Sequence, residues 1–194
     1  MGTSISQRIE SGWNVWRVAR TAVSVPVLMT ETYYLVVAFD NITYPASNWA
    51  FVKGVLSGDG TPPDNGFEWR AVDATWFQVA GYVGVITGET LTGLILAGGG
   101  VAGLRRGRTA IGWAGAQRLT LVGCTLGLLV FYFGFITVGG NWFIMYLNSK
   151  WNGLEPAFQN SAMTAFTLIA TLVVLAADRV ATNVDTRDRP VTTR

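Results

Sequence analysis

The sequence predicts an all-α membrane protein: a bundle of four transmembrane helices with both termini cytoplasmic and two structured outer loops that carry short interfacial helices. Composition is the first observation, because 50% of the 194 residues are hydrophobic and 13% are charged, against about 25% charged in an ordinary soluble domain. The second is a set of four long apolar windows. The third is the gathering of basic residues on one side of those windows, which is typical of membrane topology.

The four windows each supply the roughly 20 residues that a helix needs to cross a hydrocarbon core of about 30 Å. Together they form a membrane domain over residues 21–177, with spans at residues 21–39, 77–97, 119–138 and 157–177. The first window is the weakest, because it contains Pro26 and Glu31. A secretory signal peptide is the rival interpretation, since arginines precede the apolar run. The run is long and lacks a small-x-small cleavage motif near Phe39, so we expect a retained helix.

The positions of the basic residues orient these spans. All but three of the 14 Lys and Arg residues precede the first span, lie between the second and third, or follow the fourth. The exceptions are Lys53, Arg70 and Lys150. The positive-inside rule therefore predicts a cytoplasmic N-terminal segment, a cytoplasmic polar tail and two outer loops. These are residues 1–20, 178–194, 40–76 and 139–156, respectively.

Missing residue types exclude most catalytic chemistry. The chain has no histidine, and Cys124 is its single cysteine. This rules out a Ser–His triad, histidine-ligated haem and Cys/His zinc sites within one copy. The net charge of +2 and the lack of a basic run argue against a nucleic-acid partner. The acidic stretch Asp59–Gly66 suggests calcium but does not match EF-hand spacing, so we expect a solvated turn. We predict no catalytic residue, no cofactor and no metal site.

Each outer loop contains a segment with helical or interfacial character. Residues 45–56 (PASNWAFVKGVL) place apolar side chains at helical spacing, with Ser47 or Asn48 as the expected cap and Gly58 as the expected end. In the second loop, GGNWFIMYLNSKWNG (Gly139–Gly153) is rich in both aromatic residues and asparagine. Aromatic rings of this kind favour the membrane interface, so we expect a short interfacial helix here.

The two outer loops are expected to pack together as a cap that offers a docking face to a partner. The aromatic segments Gly139–Phe158, Trp49–Leu56 and Trp69–Trp76 would meet, and Glu155 would pair with Arg70 or Lys53. The alternative is two independent interfacial helices that lie apart on the lipid surface. The candidate cap or partner residues are Trp49, Trp69, Arg70, Trp142, Tyr146, Trp151, Asn152 and Glu155.

Two carboxylates lie inside the predicted spans, Glu31 in the first and Glu89 in the second. A carboxylate at the bilayer centre costs about 2.5–3.5 kcal/mol on insertion scales, so each is expected to face protein or water and to have a partner. Similar depths along their helices predict a shared intramembrane polar cluster. It would act either as a proton relay, quinone contact or cation site, or as interhelical hydrogen bonding.

Glycine motifs are frequent but carry little specific information. Gly84–Gly88 and Gly123–Gly127 each match GxxxG, which permits close helix approach within one chain or in a homo-oligomer. AGGGVAG (Ala97–Gly103) contains a formal GxGxxG, but no strand precedes it. We interpret it as the frayed end of the second span.

Several motifs in a fixed order give the chain a resemblance to a known family. FDN, NWAFVKGVL, EWRAV, GETLTG and GFITVGGNWFIMYLNSKWNGLEPAF follow one another between about Val36 and Ala170. This order resembles the bacterial family of predicted small integral membrane proteins, catalogued as a domain of unknown function. Its pattern is matched by Trp142, Phe143, Met145, Tyr146, Trp151, Asn152, Gly153, Glu155, Ala157 and Phe158. The resemblance implies a four-helix inner-membrane protein and supplies no catalytic residues.

Three classes of function follow from these features. The first, which the sequence favours, is a non-catalytic accessory subunit of a larger membrane complex, such as a respiratory or oxidoreductase assembly, in contact with lipid and other membrane subunits. The second is a small transporter, channel or lipid- or quinone-handling protein that uses Glu31 and Glu89. The third is an enzyme with carboxylate chemistry at Glu68, Asp73 or Glu155. It is the weakest, because these carboxylates show no recognisable spacing.

The predicted topology can be tested by cysteine labelling. A cysteine introduced at Ser149 is expected to react with a membrane-impermeant thiol reagent in intact cells, and one at Thr192 is expected to react only after permeabilisation. Permeabilised cells, in which both react, provide the control. The reverse pattern in intact cells would contradict the predicted orientation.

Overall fold

The computed structural model describes residues 5–106 and 109–187, with side chains described for residues 18–106, 109 and 111–180. These residues form helices and connecting turns, without a strand. The helices are α1 (Ile5–Thr43), α2 (Pro45–Ser57), α3 (Thr75–Arg106), α4 (Ala110–Leu128) and α5 (Leu154–Arg187), and α4 continues as a π-helical segment (Leu129–Trp142). Short 3-10 turns occupy Glu68–Arg70 and Met145–Leu147. The predicted all-α class is confirmed.

Four stretches of helix are long and apolar enough to cross a membrane: Val18–Thr43, Thr75–Arg106, Ile111–Trp142 and Leu154–Val180. Each contains one of the predicted windows and extends beyond it at both ends. The predicted terminal segments are also largely helical, because α1 begins at Ile5 and α5 ends at Arg187. Among the residues that oriented the spans or test the topology, Arg108, Arg189, Thr192 and Arg194 lie outside the described residues.

The spans form a four-membered bundle in which each helix contacts two neighbours: α1 with α3, α3 with α4, α4 with α5, and α5 with α1. The start of the first span and the end of the last meet at an ion pair between Arg20 and Asp178, with 3.3 Å between Nη2 and Oδ1. We call this the terminal end of the bundle. The opposite end, which carries α2 and the two long connections, is called the cap end.

Glycines on α3 determine how closely the helices approach. A Cβ atom at Gly93 or Gly100 would collide with Leu35 or Leu28 of α1, and one at Gly99 would collide with Thr120 of α4. The expectation that Ala97–Gly103 is a frayed helix end is wrong, because α3 stays helical and packed through this stretch. In a membrane, small residues allow backbones to approach, and the resulting van der Waals contact replaces the hydrophobic driving force.

Hydroxyl groups link α1 to α5 in the bundle interior. Thr30 bonds Thr167 and Tyr34 bonds Thr164, each at 2.9 Å between oxygens. Tyr34 is fully buried and packs with Leu96 and Cys124 in one core cluster. Because hydrogen bonds are directional, these two fix the position of α1 relative to α5 more specifically than apolar contacts alone would.

Helix α2 forms where the sequence predicted it, but its start differs. The residue at its N-cap is Tyr44, whose side chain makes no cap bond, and Pro45 occupies the first turn. Ser47 and Asn48 therefore do not cap the helix, because proline, which lacks an N–H group, is already suited to that position. At the other end Gly58 adopts φ 71°, as expected for a left-handed helix cap.

The second connection contains less helix than predicted. The π-helical segment continues the third span as far as Trp142, and only the short turn Met145–Leu147 follows before α5. A separate interfacial helix over Gly139–Gly153 is therefore not formed. Ile144, in a left-handed conformation with φ 49°, marks the point where the helical direction is lost.

The two connections pack against each other at the cap end. We call α2 together with residues 58–74 and 143–153 the cap. Its core contains Val55, Phe143 and Met145, all buried. Asn148 Nδ2 donates to the Asp59 carbonyl at 2.8 Å, and the rings of Phe51 and Trp151 meet edge to face at 6.4 Å. The cap is thus a packed unit in the described structure.

An exposed polar contact also joins the two connections. The Asp59 carboxylate accepts hydrogen bonds from Trp151 Nε1 and Lys150 Nζ, each at 3.1 Å. The indole N–H, followed by the lysine ammonium group, holds the pKa of Asp59 below its ordinary value. Within the acidic stretch Asp59–Gly66, the Asp59 carboxylate therefore bonds protein groups.

Packing of the cap can be tested at Gly54, because a Cβ there would overlap the Trp151 indole. Gly54→Leu is expected to lower the free energy of unfolding by about 1–3 kcal/mol, as overpacking does. The measurement is thermal unfolding in detergent. The matched control is Gly84→Leu, since a Cβ at Gly84 meets no atom within 4 Å. Equal melting temperatures for the two variants would contradict the packing of α2 against Trp151.

Candidate functional site

A cavity of about 230 Å³ lies between the bundle and the cap. Four spans and α2 all contribute to its wall. Its polar lining comes from Asn41, Asn48, Tyr82, Glu89 and Asn160, and its apolar lining includes Phe51, Phe131 and Phe135. The space is partly open to the surface, and it borders a carboxylate, which distinguishes it from the small enclosed voids of a close-packed interior. It is the candidate functional site.

Glu89 is the charged group of this cavity. Its side chain is 1% exposed, and Oε2 accepts a hydrogen bond from Asn41 Nδ2 at 2.5 Å. Tyr82 donates its hydroxyl proton to the Asn41 carbonyl at 2.7 Å, which ties α3 to the end of α1. Among the described residues, no Lys or Arg forms an ion pair with Glu89. The carboxylate therefore has a dipolar partner but no described counter-charge.

Aromatic rings form another part of the cavity wall. Phe51 of α2 stacks on Phe135 at 6.2 Å between ring centroids, and Phe135 contacts Phe131 at 5.3 Å. Phe131 and Phe135 belong to the π-helical segment. Long π-helical stretches are rare, and π-helical turns are frequent at functional sites. The side chain of Trp49 packs edge to face on Tyr82 at 5.9 Å, behind the polar side of the cavity.

The structure does not bring Glu31 and Glu89 together. Gly93 packs on Leu35 and Gly100 on Leu28, an antiparallel register that places Glu31 level with Ala97. Ala97 lies eight residues beyond Glu89, a separation of roughly 12 Å along α3 at 1.5 Å per residue. Glu31 is only partly buried, with no hydrogen bond in the described part of the chain. The predicted shared cluster is therefore not formed. Of the two carboxylates, Glu89 lines the cavity and Glu31 does not.

The remaining predicted residues lie in the cap or at its border. Trp69 and Trp142 meet edge to face at 5.7 Å and are 69% and 48% exposed. Trp151 is partly buried against Phe51, whereas Tyr146 is 48% exposed. Asn152 accepts a hydrogen bond from the Leu154 amide through Oδ1, at the start of α5.

The predicted ion pair of Glu155 is replaced by other contacts. The Glu155 carboxylate accepts from Gln159 Nε2 at 3.3 Å, one turn further along α5. Arg70 instead lies against the rings of Phe67, Trp69 and Trp142, and its Nη1 donates to the Asn141 carbonyl at 3.3 Å. A guanidinium group is well suited to this combination of aromatic faces and carbonyl oxygens.

The chemistry available in the cavity is recognition by charge, carboxamides and rings. A carboxylate can accept hydrogen bonds or balance a cation, and the carboxamides of Asn48 and Asn160 can both donate and accept. In the described residues, no three His, Cys, Asp or Glu side chains are grouped so as to hold a metal ion. The arrangement is therefore that of a binding site with one charged group.

Asn41 and Asn160 are two polar site residues that sequence analysis did not identify. Asn41 lies just beyond the predicted first span, yet it continues the buried stripe of Val27, Tyr34 and Ala38 at helical spacing. Asn160 begins a similar stripe on α5 that continues through Thr164 and Thr167. Extending helical phase past the first window would have found Asn41, whereas Asn160 already lies inside the fourth window, on the face that carries Thr164 and Thr167.

Fold and site together define an integral membrane protein with four spans and a polar cavity at one end of the bundle. The model of the family described as predicted small integral membrane protein (DUF2165) matches residues 19–175. The chain belongs to this family, as the sequence motifs predicted. Neither a search of curated proteins nor a search of solved structures gave a match.

The contact between Glu89 and Asn41 can be tested by two substitutions. Glu89→Gln keeps an acceptor for Asn41 Nδ2 and is expected to change stability little. Glu89→Leu leaves that buried amide unpaired, at an expected cost of about 1–3 kcal/mol in the free energy of unfolding. Unfolding in detergent micelles measures both, with Glu31→Leu as a control at a carboxylate without a described hydrogen bond. Equal losses for Gln and Leu at position 89 would contradict the hydrogen-bonding role.

Proposed function

We propose that this chain is a non-enzymatic membrane protein that binds a small molecule in the cavity between Glu89 and the aromatic wall. The observation that carries this proposal is the cavity itself, an unfilled space of about 230 Å³ beside a buried carboxylate. Glu89 joins α3 to α1 through Asn41, and it also borders this space. An engineered protein cavity of about 150 Å³ accepts benzene, so this one has room for a somewhat larger ligand.

The position of the cavity supports uptake at the cap end. Asn48, Phe51 and Val52 of α2 line it, so the cap covers the ligand position directly. With the basic residues inside, as the sequence predicts, the cap end faces outward from a bacterial inner membrane and both termini are cytoplasmic. The ligand would then come from the outer side. This proposal corresponds to the second class of function that the sequence allowed, with Glu89 in the principal role and Glu31 outside the site.

A second candidate function is an accessory subunit of a larger membrane assembly, such as a respiratory or oxidoreductase complex. The observation that favours it is an exposed aromatic face at the border of the cap, where Trp69 and Trp142 flank Arg70. Trp69 is 69% exposed and Trp142 is 48% exposed. Trp and Arg are enriched at the energetic centres of protein interfaces. Another membrane subunit would cover this face.

Two matched substitutions test the proposed ligand site. Val85 lines the cavity and Val83, two residues away on α3, is 52% exposed. Val85→Phe adds a ring to the cavity wall, whereas Val83→Phe adds one to the exposed face. Binding of benzylamine and of benzyl alcohol to the purified protein in nanodiscs is measured by calorimetry, with empty nanodiscs subtracted.

At least one probe is expected to bind the wild type and Val83→Phe, and to bind Val85→Phe at least about tenfold more weakly, because the added ring occupies ligand volume. Absence of binding by both probes to the wild type would overturn the proposal. Binding that is unchanged in Val85→Phe would also overturn it, since the probe would then lie elsewhere.

A further inference from the structure

We propose that the ligand of this cavity is an organic cation, an ammonium group on a small apolar body that pairs with Glu89. This inference rests on the proposed ligand-binding function and specifies the chemical class of the ligand. It is carried by three features of the cavity: an uncompensated buried carboxylate, a lining without Lys or Arg, and aromatic rings in the same lining.

The first feature is the charge of Glu89. Removing a carboxylate from water is costly unless the charge is paired and hydrogen-bonded. Asn41 supplies one hydrogen bond, and the described chain supplies no ion pair. A bound cation would supply both the missing charge and further N–H donors to the carboxylate oxygens.

The second feature is the absence of positive charge from the cavity lining, which includes neither Lys nor Arg. A carboxylate, phosphate or other anionic ligand would meet Glu89 without compensation, and like charges at close range repel. A quinone presents acceptor oxygens only, so it could accept from the carboxamides of Asn48 and Asn160 but would leave the charge of Glu89 uncompensated. The lining therefore disfavours acids and quinones and favours a ligand that brings donors and positive charge.

The third feature is the arrangement of rings. Phe51, Phe131 and Phe135 form a continuous wall, and Tyr82 adds a ring on the side of Glu89. Aromatic faces attract cations, most strongly when the site is desolvated, and they also pack against an apolar body. The carboxamide oxygens of Asn48 and Asn160 are further acceptors for an ammonium group.

The decisive comparison uses benzylamine against benzyl alcohol, which share a ring and a methylene group but differ in charge. Both are titrated into the wild-type protein in nanodiscs of neutral lipid, at a pH where the amine is protonated. Benzylamine is expected to bind at least about tenfold tighter, since hydrogen bonds to charged groups are the stronger ones. In Glu89→Gln this preference is expected to disappear. Glu31→Gln, which changes the other intramembrane carboxylate outside the cavity, is expected to retain it.

Each outcome has a distinct meaning for the two proposals. If benzyl alcohol binds as tightly as benzylamine and Val85→Phe weakens both, the cation class is overturned while ligand binding stands. A preference for the amine that survives Glu89→Gln also overturns the pairing with Glu89. If neither probe binds the wild type, the ligand-binding function fails as well. Should Glu89→Gln not fold, the wild-type affinity ratio alone decides whether the site prefers a cation.

Discussion

The close approach of α3 to its neighbours is the constraint on which the rest of the structure depends. Lipid tails are as apolar as the helix faces, so burial from water does not hold a bundle together within the hydrocarbon core. Gly93, Gly99 and Gly100 instead allow the side chains of α1 and α4 to touch the α3 backbone. This contact fixes the register of α1 against α3. The register in turn sets Glu89 opposite Asn41 and leaves Glu31 level with a different part of the bundle.

Hydropathy predicts the spans well because a bilayer imposes a simple physical requirement. Backbone groups within hydrocarbon must be hydrogen-bonded internally, so any window of sufficient apolar length becomes helix. The same criterion says little about where a helix ends, since helical bonding continues beyond the hydrocarbon. That is why all four spans exceed their predicted windows. The second connection was predicted to contain a helix because its aromatic residues suit an interface. Phe143 and Trp151 instead pack in the cap core with Val55 and Leu56, while Trp142 and Tyr146 remain about half exposed.

The candidate site was predictable in part. Glu89 was identified because an intramembrane carboxylate is expensive and requires a partner, but the partner could not be chosen without the helix register. Asn41 was overlooked at a loop boundary, although helical phase from Tyr34 and Ala38 leads to it. The ring wall of Phe131 and Phe135 could not be found from sequence, because residues 126–136 are almost wholly apolar and have no polar face to show which residues point inward. The cavity is a product of packing between five elements and has no local sequence pattern.

The π-helical segment has a mechanical consequence for the cavity wall. A ladder of bonds from each N–H to the carbonyl five residues earlier satisfies interior backbone groups as an α-helical ladder does, and so meets the requirement of the bilayer. A change between π-helical and α-helical hydrogen bonding would therefore shift this span relative to its neighbours while leaving few backbone polar groups unpaired in hydrocarbon. Such a shift would turn Phe131 and Phe135 relative to Glu89 while leaving α1, α3 and their glycine contacts in place. Part of the cavity wall, Phe131 and Phe135, thus belongs to the span that contains the π-helical segment.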